Sequence, residues 1–150
     1  MCDETLTTAD TLPQLLLESQ LCFPLYAAAR RVVNAYTPYL KPLGLTYTQY
    51  IVFLCLWEYG ETTVGEICRR LYLDNGTITP LVKRMERDGY VTRSRCREDE
   101  RVVRICVTER GWALREQAGE IPARLSGCVS LSREDAYQLY TLLYRLLKDE

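Results

Sequence analysis

The chain has 150 residues, long enough for one domain with its own core, and its 47% apolar and 26% charged composition excludes a disordered chain. The net charge of −1 gives no overall bias towards nucleic acid, and the absence of histidine excludes Ser-His-Asp and Cys-His catalysis and histidine metal sites.

Residues 1–12 are polar and threonine-rich and read as a frayed end. Pro13 to Tyr36 is the first helical stretch, with Leu21, Leu25, Ala28, Ala29, Val32 and Tyr36 at three- and four-residue spacing. Pro24 cannot donate to the Gln20 carbonyl, so a kink or a fresh helix start is predicted there. Pro38 and Pro42-Leu-Gly44 should then break the chain. Thr46-Tyr-Thr-Gln49 has capping-box spacing and opens a second helix to Tyr59, apolar almost all round and therefore buried. Thr63-Val-Gly-Glu66 is a second capping box, opening a short helix through Leu71. After a turn at Tyr72-Leu-Asp74, with Asp74 or Asn75 as cap, a basic helix runs from about Gly76 to Asp88. Two short helices joined this way describe a helix-turn-helix.

The period then changes. Tyr90–Arg93 and Val102–Val107 read as strands around the charged segment Arg95–Arg101, a hairpin with a basic tip. Thr108 caps a further helix towards Cys128, interrupted at Pro122, and Ser132 caps the last, with Tyr137, Leu139, Tyr140, Leu142, Leu143, Leu146 and Leu147 as its apolar face. The fold class predicted is mostly α with a small β wing, a winged helix-turn-helix. Residues 1–150 form one domain, with the DNA-binding part at 46–108 and dimerisation helices at 13–45 and 109–150. The leucines and tyrosines of the end helices need a partner surface. A second copy supplies one by two-fold symmetry; the alternative is that these helices cover the winged core.

Charge is unevenly placed. Arg69 to Arg104 holds ten basic and six acidic residues, a net +4, and the remainder is −5. A basic centre between acidic ends fits a chain whose middle meets phosphate. Thr77, Thr79, Lys83 and Arg84 are the recognition-helix residues expected to touch DNA, with capping or solvation as the plainer role for some. The acidic N-terminus lacks a basic-then-apolar leader, and the longest apolar run, Tyr50 to Trp57, is eight residues, too short to span a bilayer. A cytoplasmic protein with reduced thiols and no membrane partner is expected. Of seven cysteines, Cys55, Cys68 and Cys106 read as small core residues, Cys96 as exposed in the wing and Cys2 as part of the tail. With no C-x-x-C pair, no metal site is expected, and no cofactor.

In this order of elements the chain resembles the MarR family of winged-helix repressors over nearly its whole length. Asp99-Glu-Arg101-Val-Val-Arg104 fits that family's D-x-R-x-x-R/K wing pattern. The resemblance implies that Arg101 enters the minor groove and Asp99 holds the wing. A narrow groove concentrates negative potential, and a guanidinium on a hairpin tip can enter it. The plain alternative is a solvated turn laced with ion pairs. Three strings are similar to OhrR, the organic-hydroperoxide-sensing branch: Glu18-Ser-Gln-Leu-Cys22-Phe-Pro-Leu-Tyr26-Ala, Leu45-Thr-Tyr47-Thr-Gln-Tyr50, and Leu71-Tyr-Leu-Asp74-Asn-Gly-Thr77-Ile-Thr79-Pro80-Leu-Val-Lys83-Arg84. The resemblance implies that peroxide oxidises Cys22, and that Tyr36 and Tyr47 from the other subunit hydrogen-bond its thiolate. Tyr26 also matches the pattern. In two-cysteine members a late cysteine of the other subunit closes a disulfide, and Cys128 stands where that residue is expected.

The chemistry asks for a thiolate, because a thiol is a poor nucleophile. Tyrosine hydroxyls donating to sulfur favour the anion, and a helix starting near Pro24 would add its N-terminal dipole at Cys22. The apolar neighbours Leu21, Phe23 and Leu25 suit an alkyl or fatty-acid hydroperoxide. The sulfenic acid formed would meet Cys128 or a small thiol and close a disulfide, shifting the two reading heads off half-sites about 34–36 Å apart. The predicted function is a homodimeric repressor that releases operator DNA when Cys22 is oxidised. One alternative is a repressor relieved by a reversible aromatic ligand in a tyrosine-lined dimer crevice. Another, an enzyme, is a thiol peroxidase, against which stands the lack of a histidine and of a resolving cysteine near Cys22.

Overall fold

Capping side chains set most of the boundaries in the computed structural model, which describes residues 12–96, 99, 101–125, 127 and 130–148. Cys128 lies outside the described residues. The chain divides into two compact units, residues 1–35 and 36–150.

In the first unit, Pro13–Leu15 and Leu17–Ser19 are single 3-10 turns rather than the start of a long helix. Helix α1 (Cys22–Leu40) begins afresh at Cys22, as Pro24 predicts. Pro24 occupies the third helical position, where the backbone nitrogen has no intrahelical acceptor, so nothing is lost. Pro38 does not break the chain as expected. It lies inside the last turn of α1, and the break comes at Lys41–Leu43, a 3-10 turn closed by Gly44 in the left-handed region at φ 68°.

The second unit holds the winged core. Helix α2 (Tyr47–Tyr59) starts with the predicted capping box: the Gln49 N–H donates to Thr46 Oγ1 at 3.2 Å and the Thr46 N–H to Gln49 Oε1 at 2.8 Å. It buries Gln49, Tyr50, Val52, Phe53, Cys55 and Leu56. Gly60 ends it at φ 72°, ψ −139°, a conformation essentially restricted to glycine. Strand β1 (Thr62–Thr63) runs into α3 (Val64–Leu71), whose Thr63–Glu66 capping box also forms. Tyr72 makes the turn in the left-handed region at φ 53°. Asp74 caps α4 (Asn75–Arg87), which buries Ile78, Val82 and Met85.

Strands β2 (Val91–Arg95) and β3 (Val103–Val107) form the hairpin, with Val91 opposite Val107 and Arg95 opposite Val103. The sheet is antiparallel in the order β1-β3-β2, so β3 is central. Sequence pattern alone does not announce β1, which pairs Thr62 with Ile105 and Thr63 with Arg104. Helix α5 (Glu109–Ala118) is capped by Thr108, and α6 (Ile121–Leu125) follows; the interruption falls at Gly119–Glu120, with Pro122 at the second position of α6. Ser132 accepts from the Asp135 N–H at 3.1 Å at the start of α7 (Arg133–Lys148). The core is Phe53, Leu56, Ile67, Ile78, Val82, Met85, Val91 and Ile105, each at most 2% exposed. Among the described residues no helix is long and apolar enough to cross a membrane.

Candidate nucleic-acid interface and thiol site

Burying Ile78, Val82 and Met85 leaves the opposite face of α4 to solvent. Thr77, Pro80, Lys83, Arg84 and Arg87 are exposed, and their three- and four-residue spacing puts them in one stripe. Sequence reasoning singled out Thr77, Lys83 and Arg84 but passed over Pro80 and Arg87, which the same periodicity identifies. Thr77 is partly committed to the cap: its N–H donates to Asp74 Oδ1 at 2.8 Å and its hydroxyl to Asp74 Oδ2 at 2.9 Å. These bonds hold the Asp74 carboxyl below the usual carboxylate range. The Thr77 oxygen keeps only its acceptor capacity for a base edge or a water. Thr79 is half-buried and lines a cleft between α4 and the wing.

The wing tip is ordered locally at its predicted residues. Asp99 Oδ1 accepts from the Arg101 N–H at 2.9 Å, and the Asp99 carbonyl accepts from the Val102 N–H at 2.9 Å. Arg101 is exposed. Arg104, the last residue of the wing pattern, is tied down. Its Nη1 donates to Glu61 Oε1 at 2.7 Å, and its Nη2 lies 3.8 Å from Cys96 Sγ. The bond to Arg104 holds the Glu61 carboxyl low and raises the guanidinium above its ordinary value. Arg93 is likewise occupied by Glu86 on α4. Arg70 lies over the Tyr59 ring, 3.5 Å from its centroid. Among the described residues the basic centre sorts into Arg70, Arg93 and Arg104, engaged by Tyr59, Glu86 and Glu61, and Arg69, Lys83, Arg84, Arg87, Arg95 and Arg101, which are exposed; Arg104 is itself 47% exposed, and Arg87 lies 3.5 Å from Asp88.

The described cysteines differ sharply. Cys55 is buried, and burial pushes its thiol up. Cys68 donates to Asn75 Oδ1 at 3.3 Å and Cys106 to Glu61 Oε2 at 3.2 Å; burial, then neighbouring acid groups, raise both thiols. Cys96 is half-buried rather than exposed. Cys22 is exposed and is the first residue of α1. In its unit Leu21 is 80% exposed, Phe23 and Leu25 also face solvent, and Tyr26 carries the Arg30 guanidinium 5.5 Å from its ring centroid. In the second unit Tyr36 meets Tyr47 edge to face with centroids 5.0 Å apart, and Tyr50, buried as its place on α2 predicts, joins them at 5.6 Å from Tyr36. Tyr50 stands one helical turn from Tyr47, the signal that finds it. Burial, then Tyr36, pushes Tyr47 and Tyr50 above the ordinary phenol value, so both hydroxyls stay protonated donors near neutrality. Among the described residues no group of histidine, cysteine or carboxylate side chains is placed to hold a metal.

The MarR family pattern matches residues 45–103, from the approach to α2 to the first residue of β3. The chain is 48% identical over 132 residues to the organic hydroperoxide resistance transcriptional regulator of Bacillus subtilis (strain 168), covering 88% of this chain and 90% of that protein. Reduced AbfR bound to DNA is similar with a TM-score of 0.74 and 35% identity, over 88% of this chain and 91% of that one. Disulfide-formed AbfR is similar with a TM-score of 0.64 and 35% identity, over 88% and 93%. Helix-turn-helix, a three-stranded sheet extended by the β2–β3 wing, and identity over most of both lengths agree: the chain belongs to the MarR family of winged-helix transcriptional regulators.

Proposed function

We propose that this protein is a homodimeric repressor that binds operator DNA and releases it when organic hydroperoxide oxidises Cys22. The observation that carries the redox part is the placement of Cys22. It is the exposed cysteine among those described, at the N-terminus of a helix, where the dipole favours an anion. Cys55, Cys68 and Cys106 are instead buried or hydrogen-bonded as thiols.

The thiolate attacks the distal peroxide oxygen. The O–O bond breaks, a sulfenic acid forms, and the alkoxide leaves as an alcohol after taking a proton. A thiol then attacks the sulfenic sulfur, releasing water and leaving a disulfide. Cys128 of the other subunit, or a small cellular thiol, supplies that second sulfur. Tyr36 and Tyr47, with Tyr26 near the thiol in sequence, are the hydroxyls that steady the anion. Thr77, Thr79, Lys83 and Arg84 meet the major groove, Arg101 the minor groove, and Asp99 holds the turn that presents it.

Dimerisation is supported by apolar faces that have no cover within their own units. Helix α7 buries none of its residues, and Leu139, Tyr140, Leu142 and Leu146 are 44–58% exposed. The leucines before α1 are exposed as well. A second copy covers such stripes and provides two reading heads. The relatives support the same reading: one is named for organic hydroperoxide resistance, and AbfR has both a DNA-bound reduced form and a disulfide form.

The test is chemical trapping. Protein treated with one equivalent of cumene hydroperoxide in the presence of dimedone should carry the sulfenic adduct on Cys22 by peptide mass spectrometry. An adduct confined to other cysteines contradicts the reading.

A further inference from the structure

Glu86, on α4, commits both carboxylate oxygens to one residue of the wing. Its Oε1 accepts from the Arg93 backbone N–H at 3.1 Å. Its Oε2 accepts from Arg93 Nε at 2.7 Å, with Nη2 also 2.7 Å away. Because β2 lies at the sheet edge, the Arg93 N–H has no strand partner on that side, and Glu86 supplies one. The two side chains are 27% and 35% exposed, so the guanidinium is held in the structure rather than offered to a phosphate.

The surroundings give this clamp its consequence. β1 pairs with β3 only at Ile105 and Arg104, so from Val103 outward the wing is a two-stranded ribbon. Such ribbons twist more freely than wider sheets. Between ribbon and helix lies a cleft of about 400 Å³, lined on one side by Asn75 and Thr79 and on the other by Arg93, Arg101 and Val103. Packed side chains therefore do not set the distance from the α4 N-terminus to Arg101. A charge-assisted fork with a third, backbone bond does fix distance and orientation.

We propose that Glu86 is the positioning residue of the wing. By clamping Arg93 it holds Arg101 at the spacing from α4 that lets one reading head meet a major groove and the adjacent minor groove together. The proposal rests on the DNA-binding reading above. Glu86 touches no DNA and acts through Arg93.

The experiment is a thermodynamic cycle on operator binding by fluorescence anisotropy, using duplex DNA from upstream of the protein's own gene. The proteins are wild type, Glu86→Gln, Arg101→Ala and the double variant, each across a salt series. Glutamine keeps an acceptor for the Arg93 N–H but loses the charged fork. Arg93→Lys repeats the test from the other side, keeping the charge and losing the planar fork. Circular dichroism melts check that each variant is folded at the assay temperature. The expected result is an affinity about tenfold lower for Glu86→Gln and for Arg93→Lys, with a salt slope smaller by about one phosphate contact. Arg101→Ala should then cost little more on the Glu86→Gln background than Glu86→Gln alone. Additive losses, or an unchanged salt slope in folded Glu86→Gln and Arg93→Lys, overturn the positioning role while leaving DNA binding intact. Wild type that binds none of the upstream duplexes overturns both.

Discussion

Tyr36 and Tyr47 meet edge to face, with ring centroids 5.0 Å apart and planes at 63°. Helices α1 and α2 bring the two phenols that the family resemblance singles out into one cluster, with Tyr50 as the third ring. Burial and Tyr36 push Tyr47 up, so it is a hydrogen-bond donor throughout the physiological range. Tyr47→Phe and Tyr36→Phe keep the ring packing and remove one hydroxyl each. Both should bind operator as wild type does and slow Cys22 oxidation by about tenfold, the order expected for loss of a bond to a charged group. Stopped-flow thiol consumption with cumene hydroperoxide measures this. Rates equal to wild type in both variants contradict the role.

The wing arginines should separate by what holds them. Arg101 is exposed at the tip, whereas Arg104 is fixed to Glu61 at 2.7 Å. Arg101→Ala should weaken DNA binding and flatten its salt dependence by about one contact without moving the melting temperature. Arg104→Ala should lower the melting temperature and leave the salt slope near wild type. Melting curves and salt titrations on both variants decide it.

Gly111 is required by close packing at the start of α5. A Cβ there would sit 2.7 Å from Val107 Cγ1 and closer still to the Tyr90 carbonyl oxygen, and backbone cannot yield cheaply. The Gly111 carbonyl also accepts from Trp57 Nε1 at 3.2 Å. Gly111→Ala should destabilise the fold by about 3 kcal/mol, at the upper end of overpacking costs. Urea denaturation measures the loss, and a change under about 0.5 kcal/mol would contradict the packing argument.

Acid sensitivity follows from three carboxylates held below their usual range. The Thr77 hydroxyl and N–H hold Asp74, the Thr62 hydroxyl and Thr63 N–H hold Glu66, and Arg104 holds Glu61. A depressed folded-state value means the stabilisation is complete above the unfolded-state value, near pH 4, and is lost as pH falls through the folded-state value. Melting temperature should therefore hold down to about pH 5 and then fall. Asp74→Asn keeps a cap oxygen and should shallow the acid limb; Asp74→Ala removes the cap and should lower melting at every pH. An acid limb identical in Asp74→Asn would contradict the assignment to Asp74.

Local signals were legible. Thr46–Gln49, Thr63–Glu66, Asp74 and Ser132 cap the helices their spacing announces, because a cap involves residues three apart. Pro24 marked the start of α1 because a missing N–H costs nothing in a first turn. Pro38 misled because the last turn of α1 tolerates the loss of one bond. β1 was invisible because two residues make a strand only through pairing with β3 more than forty positions away. The exposed stripe of α4 follows from periodicity. The sorting of its neighbouring arginines does not, since Glu61 and Arg104 meet across 43 positions. Glu86 carried no motif, and its role appears only when α4 and β2 lie side by side.

Redox control through Cys22 is tested most directly by operator release on oxidation. Reduced wild type and Cys22→Ser are each titrated against upstream operator DNA by fluorescence anisotropy, before and after one equivalent of cumene hydroperoxide, at one fixed salt concentration. Both should bind when reduced; wild type should let go after peroxide, and Cys22→Ser should stay bound. Release of Cys22→Ser by peroxide, or retention of oxidised wild type, contradicts redox control through Cys22.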